Sequence, residues 1–424
     1  MADLQQNVWE LNPWYAQSVA GNDTYGAPGD PGGIYVWGTA SGGSSGISND
    51  FKRSSPTQIG TDTTWVEYYQ GGSSGQRAIG VKINGTLWTW GQGQNSSGAL
   101  GQNNLTNYSS PKQVGTDTTW STTTYLGVSG IAVKNNGTMW AWGLNGHGQL
   151  GLNEAGNPVR YSSPTQIPGT WSTTTGSTII GHNDSQASFF SVKTNGTLWA
   201  WGNNEGGLGL NDTTDRSSPT QVGTDTTWSS EDGHLGTAAM RNGAYSAIKT
   251  DGTLWTWGEG DFGQSGHNNR TLYSSPRQVP GTYIFTSRGL GNNIAAGGGS
   301  ANIVIKEDTT MWGMGSLWYG MMGNNYGNAG NSQGSPSPTA QYLSSPTQMA
   351  GGTTGWATVC QGKLAVYGTK TDGTFWAWGY NGDGQLGNNQ NQPSGLSSPV
   401  QIPGTDWKFI SSANYSAGAI QKVS

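Results

Sequence analysis

The side chains best suited to chemistry in this chain are few and scattered. His147, His182, His234 and His267 are its only histidines, and no two form a His-x-x-x-His pair. A metal centre needs three or four donors brought together, so no metal site and no cofactor is expected. The loop Asn381-Gly382-Asp383-Gly384-Gln385 offers one calcium-type ligand, Asp383, which its sister loops lack. Glycoside hydrolysis needs two carboxylates aimed at one cleft. Glu154, Glu205, Asp215, Glu231, Asp232 and Glu259 could meet on one face, but their spacing does not establish such a pair. The serines cluster in Ser-Ser-Pro tripeptides rather than in a Gly-x-Ser-x-Gly elbow. Cys360 is the single cysteine, which excludes an intrachain disulfide and a cysteine-based zinc cluster. No catalytic residue is therefore assigned, and a non-enzymatic protein is expected.

The abundant chemistry is aromatic. Of 21 tryptophans, twelve lie in Trp-x-Trp-Gly-like segments, and Trp65, Trp120, Trp171, Trp228, Trp356 and Trp407 end segments resembling GTDTTW. Such pairs could stack on sugars or bases, but their strict periodicity points to packing between repeats. Large rings also let a chain with 32% hydrophobic residues and 71 glycines build a core. Charged residues make up 10% and the formal net charge is −5. No basic run exists, so a nucleic-acid partner is not expected. No apolar run approaches the ~20 residues of a membrane-spanning helix. The opening MADLQQNVWELNPW has no basic-then-apolar leader pattern, which predicts a soluble product made in the cytoplasm.

The elements that position these residues come from one repeated unit. At its clearest it reads AIKTDGTLWTWG, a Gly- and Asn-rich loop, SSPTQV and GTDTTW. The Trp-Gly core ends at Trp37, Trp90, Trp142, Trp201, Trp257 and Trp378, with Met314 in the sixth copy's slot. Ser-Ser-Pro recurs from Ser54, Ser109, Ser162, Ser217, Ser274, Ser344 and Ser397. Strand-rich repeats of roughly 50–60 residues indicate a β-propeller. Asn84-Gly85, Asn136-Gly137, Asn195-Gly196, Asp251-Gly252 and Asp372-Gly373 predict type I′ hairpins. Asp308-Thr309 predicts a turn of another type, because a β-branched residue resists positive φ. The Ser-Ser-Pro prolines are expected to stop strand pairing before Thr-Gln-Val begins.

Ile34–Gly38 has no preceding hairpin partner, whereas Ser416–Lys422 is an unpartnered AIK-type strand. The expected fold is all-β: a closed seven-bladed propeller over 31–424. Its closing blade is split between 34–59 and 407–423, and a non-propeller arm over 1–30 precedes it.

Trp-Gly followed by Asn145–Gly151 and Asn381–Gly387, with a trimmed copy at Gly206–Gly209, resembles the regulator of chromosome condensation repeat. That family includes an exchange factor for a small GTPase and a secreted β-lactamase inhibitor. The low-charge, closely similar copies also resemble propellers of tailed bacteriophages, as does the segment Trp9–Tyr15 before them. This resemblance implies a virion structural or attachment protein, located in the virion. The arm would dock other virion proteins, and a propeller face or long loop would meet host-surface glycan or protein; copies could form a homo-oligomer. The alternative is a soluble protein-binding module, an inhibitor or exchange-factor-like propeller.

Partner contact is expected where the repeat breaks. One place is the arm, with Trp9, Trp14 and Tyr15; the other is the long loop from Gly315 to Ser344, with Leu317, Trp318, Tyr319, Met321, Met322 and Tyr326.

Overall fold

The computed structural model describes residues 30–422 apart from 40–42, 48–51, 72–76, 94–97, 157–159, 174–179, 182–187, 231–234, 238–243, 282–293, 298–300, 324–341, 350–352, 363, 391–394 and 413–415. Their regular secondary structure is β-strand, about half of the described residues, with one short 3-10 turn at Trp318–Gly320. Five four-stranded antiparallel sheets follow one another over 120–167, 180–221, 235–278, 294–348 and 356–402. An eight-stranded sheet takes the rest. Its strands Trp65–Gly71, Arg77–Lys82, Leu87–Gly91 and Tyr108–Gln113 join the remainder through one pair, Gly32 with Trp65.

In that remainder, Gly32–Thr39 pairs on one side with Lys52–Gln58 and on the other with Ser416–Lys422. The second ladder runs unbroken from Gly32 opposite Lys422 to Gly38 opposite Ser416. Trp407–Ser412 then completes the set against Ser416–Lys422. Segments nearly 400 residues apart thus form one antiparallel group. Inner strands pack in order from Ile180–Gly181 through Leu235–Thr237, Ile294–Gly297 and Trp356–Gln361 to Trp407–Ser412, which packs on Trp65–Gly71. Trp65–Gly71 in turn packs on Trp120–Leu126.

The hairpins form at the expected residues but not with the expected turn. Only the glycine has positive φ, as at Gly85 (74°), Gly137 (79°) and Gly252 (80°); the preceding Asn or Asp does not. This is a type I turn closed by a left-handed glycine, the common three-residue hairpin. The Asn or Asp instead uses its side chain: Asn84 Oδ1 accepts from the Thr86 amide (3.2 Å) and hydroxyl (2.7 Å), and Thr86 Oγ1 accepts from Trp88 Nε1 (2.8 Å). The relay recurs as Asp251–Thr253–Trp255 and Asp372–Thr374–Trp376. A second expectation also fails: the Asp308-Thr309 turn keeps the same type. Thr309 adopts φ 63°, and its Oγ1 accepts the Gly355 amide at 2.7 Å, which offsets backbone strain.

The Ser-Ser-Pro segments belong to the outer strands rather than preceding them. Pairing does break there: Ala200 faces Thr220, then Gly202 faces Arg216, with a register shift between. Proline fits because these are edge strands, with a bulge where its missing N–H is not needed.

Candidate functional site

The two tryptophans of each Trp-x-Trp pair point to one side of the strand but have different surroundings. Trp90, Trp142, Trp201, Trp257 and Trp378 are fully buried, as expected for a core. Their partners Trp88, Trp140, Trp199, Trp255 and Trp376 are only half-buried.

Each buried indole reaches beneath the loop of the preceding sheet. Trp90 Nε1 donates to Ser44 O (3.1 Å), Trp142 to Ala99 O (2.7 Å), Trp201 to Gln149 O (3.0 Å) and Trp378 to Met321 O (2.7 Å). Trp37 does the same to Gln385 O (2.7 Å), across the two ends of the chain. Where Met314 replaces the indole, Asn302 Nδ2 takes the waiting carbonyl of Gln264 at 2.8 Å. Trp257 Nε1 alone in this series lacks an acceptor. The loop beneath which it sits, Asn204 to Leu208, is one residue shorter than Asn145 to Leu150.

A second latch explains the serines. Asn103, Asn153, Asn211, Asn268 and Asn389 adopt positive φ. Their amides donate to Ser162, Ser217, Ser274, Ser344 and Ser54 O at 2.7–2.8 Å. Asparagine tolerates this conformation better than most side chains. Nothing in the sequence reading had assigned these asparagines; their regular place two residues after Leu-Gly or Ser-Gly is the signal.

At the loop ends, single residues of four loops bridge to the next sheet. His147 Nδ1 meets Asp215 Oδ2 at 2.9 Å, and Asp383 pairs with Lys52. In the later sheets the bridges are aromatic: Phe262 stands edge-on to Trp318 (5.1 Å) and Tyr319 to Tyr380 (5.0 Å). Exposed Arg270 lies over Tyr342 at 5.3 Å. Trp, Tyr, Phe and Arg together match the composition of interface hot spots.

The long-loop residues divide. Leu317, Trp318 and Tyr319 are half-buried at these loop ends. Met321 and Met322 are fully buried, which corrects their assignment as contact residues. They occupy the place of Gln149-Leu150, and Gly320 and Gly323 have the same positive φ as Gly148 and Gly151. The repeat's own packing, rather than an insertion, accounts for them. Tyr326, Trp9, Trp14 and Tyr15 lie outside the described residues, as does nearly all of the 1–30 arm.

The opposite, turn-side end of the sheets carries a motif that sequence reading missed. The lysine closing each AIK-type strand lies over the half-buried indole: Lys82 over Trp88 (3.8 Å), Lys134 over Trp140 (4.2 Å), Lys193 over Trp199 (3.5 Å) and Lys249 over Trp255 (3.7 Å). The same amines approach the GTDTTW-type indoles at 4.8–5.0 Å. Such stacking is worth about 0.5–2 kcal/mol each. It also covers indole faces that a sugar ring would need. The signal was in plain view, a lysine two residues before each turn Asn or Asp.

Carboxylates complete three of these units. Lys82 meets Asp62 at 2.6 Å, Lys134 meets Asp117 at 2.5 Å, and Lys249 meets Asp225. The Lys134 bond, helped by Thr119, lowers the Asp117 carboxyl to about 2; Lys249 and Thr227 do the same for Asp225.

Among the described residues, no group of three or more His, Cys, Asp or Glu is placed to hold a metal ion, and no helix is long and apolar enough to cross a membrane. Glu154 bonds Tyr161 rather than a second acid. Burial raises the Cys360 thiol to about 11, far from a reactive thiolate.

Four segments, 136–175, 195–237, 251–296 and 372–418, match the regulator of chromosome condensation (RCC1) repeat. The chain is 27% identical over 282 residues to human E3 ubiquitin-protein ligase HERC2, covering 64% of this chain and 5% of that protein. It is 25% identical over 291 residues to the Arabidopsis thaliana ultraviolet-B receptor UVR8, covering 67% of this chain and 59% of the receptor. The chain thus spans less than two thirds of these relatives. Among solved structures, Prp20p from Saccharomyces cerevisiae superposes with a TM-score of 0.72 at 18% identity, covering 96% of this chain and 95% of Prp20p. This likeness defines a β-propeller fold.

Proposed function

We propose that this chain is a non-enzymatic, protein-binding propeller of seven blades, with the closing blade shared between 32–58 and 407–422. The ladder from Gly32–Lys422 to Gly38–Ser416 supports that closure. The carrying observation for function is the loop face. There, consecutive blades present Phe262, Trp318, Tyr319 and Tyr380 beside Arg270, and among the described residues no group of three or more His, Cys, Asp or Glu is placed to hold a metal ion. Yeast Prp20p, of similar fold, has binding properties to Gsp1p and histones, which fits a scaffold whose blades are used for protein contact.

The protein-binding module takes precedence over virion attachment. The relatives reported above come from human, Arabidopsis and yeast, and none is a virion protein. The virion reading, with its arm contacts through Trp9, Trp14 and Tyr15, its host-surface partners, its homo-oligomer and its location, retains only the sequence resemblance.

The test is site-specific photo-crosslinking from position 319 on the loop face and, as a control, from position 112 on an outer strand. Partners captured from 319 alone are then titrated against Trp318→Ala and Arg270→Ala. Binding weakened about 10-fold or more without loss of the melt is expected for a hot-spot face. Equal capture from both positions, or binding indifferent to both substitutions, would contradict the assignment.

A further inference from the structure

The turn-side units are alike except in their acids. Lys82, Lys134 and Lys249 hold loop aspartates, Asp62, Asp117 and Asp225. Lys306 lies in the field of Asp308 and Lys370 in that of Asp372, each on its own hairpin turn. Lys193 has neither. Its turn carries Asn195, and the segment before Trp171 reads Pro168-Gly169-Thr170, two residues shorter than Gly-Thr-Asp-Thr-Thr and without an acid.

Its amine still lies 3.5 Å from the Trp199 ring centroid and 5.0 Å from that of Trp171. A Cβ built on Gly169 would stand 3.6 Å from Lys193 Nζ, so the shortened loop stays close without supplying an oxygen. Burial against the indoles lowers the Lys193 amine, and no carboxylate among the described residues offsets it. Among the described residues the ammonium therefore has two ring faces and no anion, whereas its sisters show where the anion belongs: on Nζ, beside the indole pair.

We infer that Lys193, Trp171 and Trp199 form a carboxylate-binding site whose occupant is an aspartate or glutamate side chain of a protein partner. The internal aspartates of the sister units mimic that ligand. A cation partly desolvated by aromatic rings gains most from a carboxylate that completes its hydrogen bonding. Lys193 precedes the strand Leu198–Gly202, so this site lies at the end of the sheet opposite the loop face. Only the choice of a protein as the occupant's source rests on the protein-binding reading.

The probe is N-acetyl-aspartate amide, with N-acetyl-asparagine amide as its neutral control. The full chain is labelled with 5-fluorotryptophan and followed by ¹⁹F resonance. The acidic probe should move the Trp171 and Trp199 signals saturably, and the neutral one should not. Asn195→Asp supplies the missing acid on the turn, as Asp372 does for Lys370. It should weaken probe binding by about 5-fold or more while leaving the fold intact. Asp117→Asn should open an equivalent site at Lys134, seen at Trp120 and Trp140. Equal response to both probes, no response at Trp199, or indifference to Asn195→Asp would overturn the site. None of these outcomes touches the loop-face crosslinking, so the two proposals fail separately.

Discussion

His267 shows how one side chain can fill a role that another residue performs elsewhere. Its Nε2 lies 2.9 Å from Thr256 Oγ1, while that hydroxyl donates to Ser265 O at 2.6 Å. The ring must therefore donate from Nε2, leaving Nδ1 a buried acceptor without a partner. In the blade before Asn103, Gln102 Nε2 donates to Thr89 Oγ1 at 3.0 Å in the same way. Burial, with Arg277 adding, lowers the His267 imidazole to about 4. The unfolded chain, titrating near 6.5, binds a proton first. Stability from the neutral ring is full above pH 6.5 and declines as pH falls towards 4, by on the order of 2–3 kcal/mol. His267→Gln keeps the donor and removes the titration. Urea melts at pH 7 and pH 4.5 should show a smaller acid loss in the variant than in the parent; equal losses would refute the assignment.

At the scale of elements, the blades are joined by indole-to-carbonyl bonds, and the exception among them is informative. Trp142 Nε1 bonds Ala99 O, whereas Trp257 Nε1 bonds nothing. Both rings are fully buried, so replacement by Phe removes comparable volume. Trp142→Phe also strands a buried carbonyl and should cost about 1–2 kcal/mol more than Trp257→Phe. Matched denaturant melts measure that difference, and equal costs would mean the bond adds nothing. Much of this level was legible in the sequence. The period, the hairpin positions, the Trp-Gly strands and the pairing of the two ends could all be read from repetition alone. Turn type could not, because Asn-Gly suits two hairpin geometries and only the backbone distinguishes them. The half-exposed Trp88 series was assigned to the core because alternation puts it beside Trp90; depth along the strand, which separates the two, is a property of the assembled sheet. Met321 and Met322 read as exposed anchors because the repeat there is worn. Gly320 and Gly323, whose spacing matches Gly148 and Gly151, were the clue to their buried place.

For the whole molecule, the proposed closure of these sheets into one ring is what would hold the loop face rigid enough to bind. Closure depends on Ser416–Lys422 lying between Gly32–Thr39 and Trp407–Ser412, and on Trp37 reaching Gln385. A strand near a chain end normally frays first. Native-state hydrogen exchange of peptides covering 32–38 and 416–422, compared with an internal pair at 244–248 and 254–258, measures this most directly. A closed ring predicts that both sets exchange only with global unfolding, at the same free energy. Exchange of the terminal peptides 100-fold or more faster, an opening about 2.7 kcal/mol cheaper than unfolding, would contradict it.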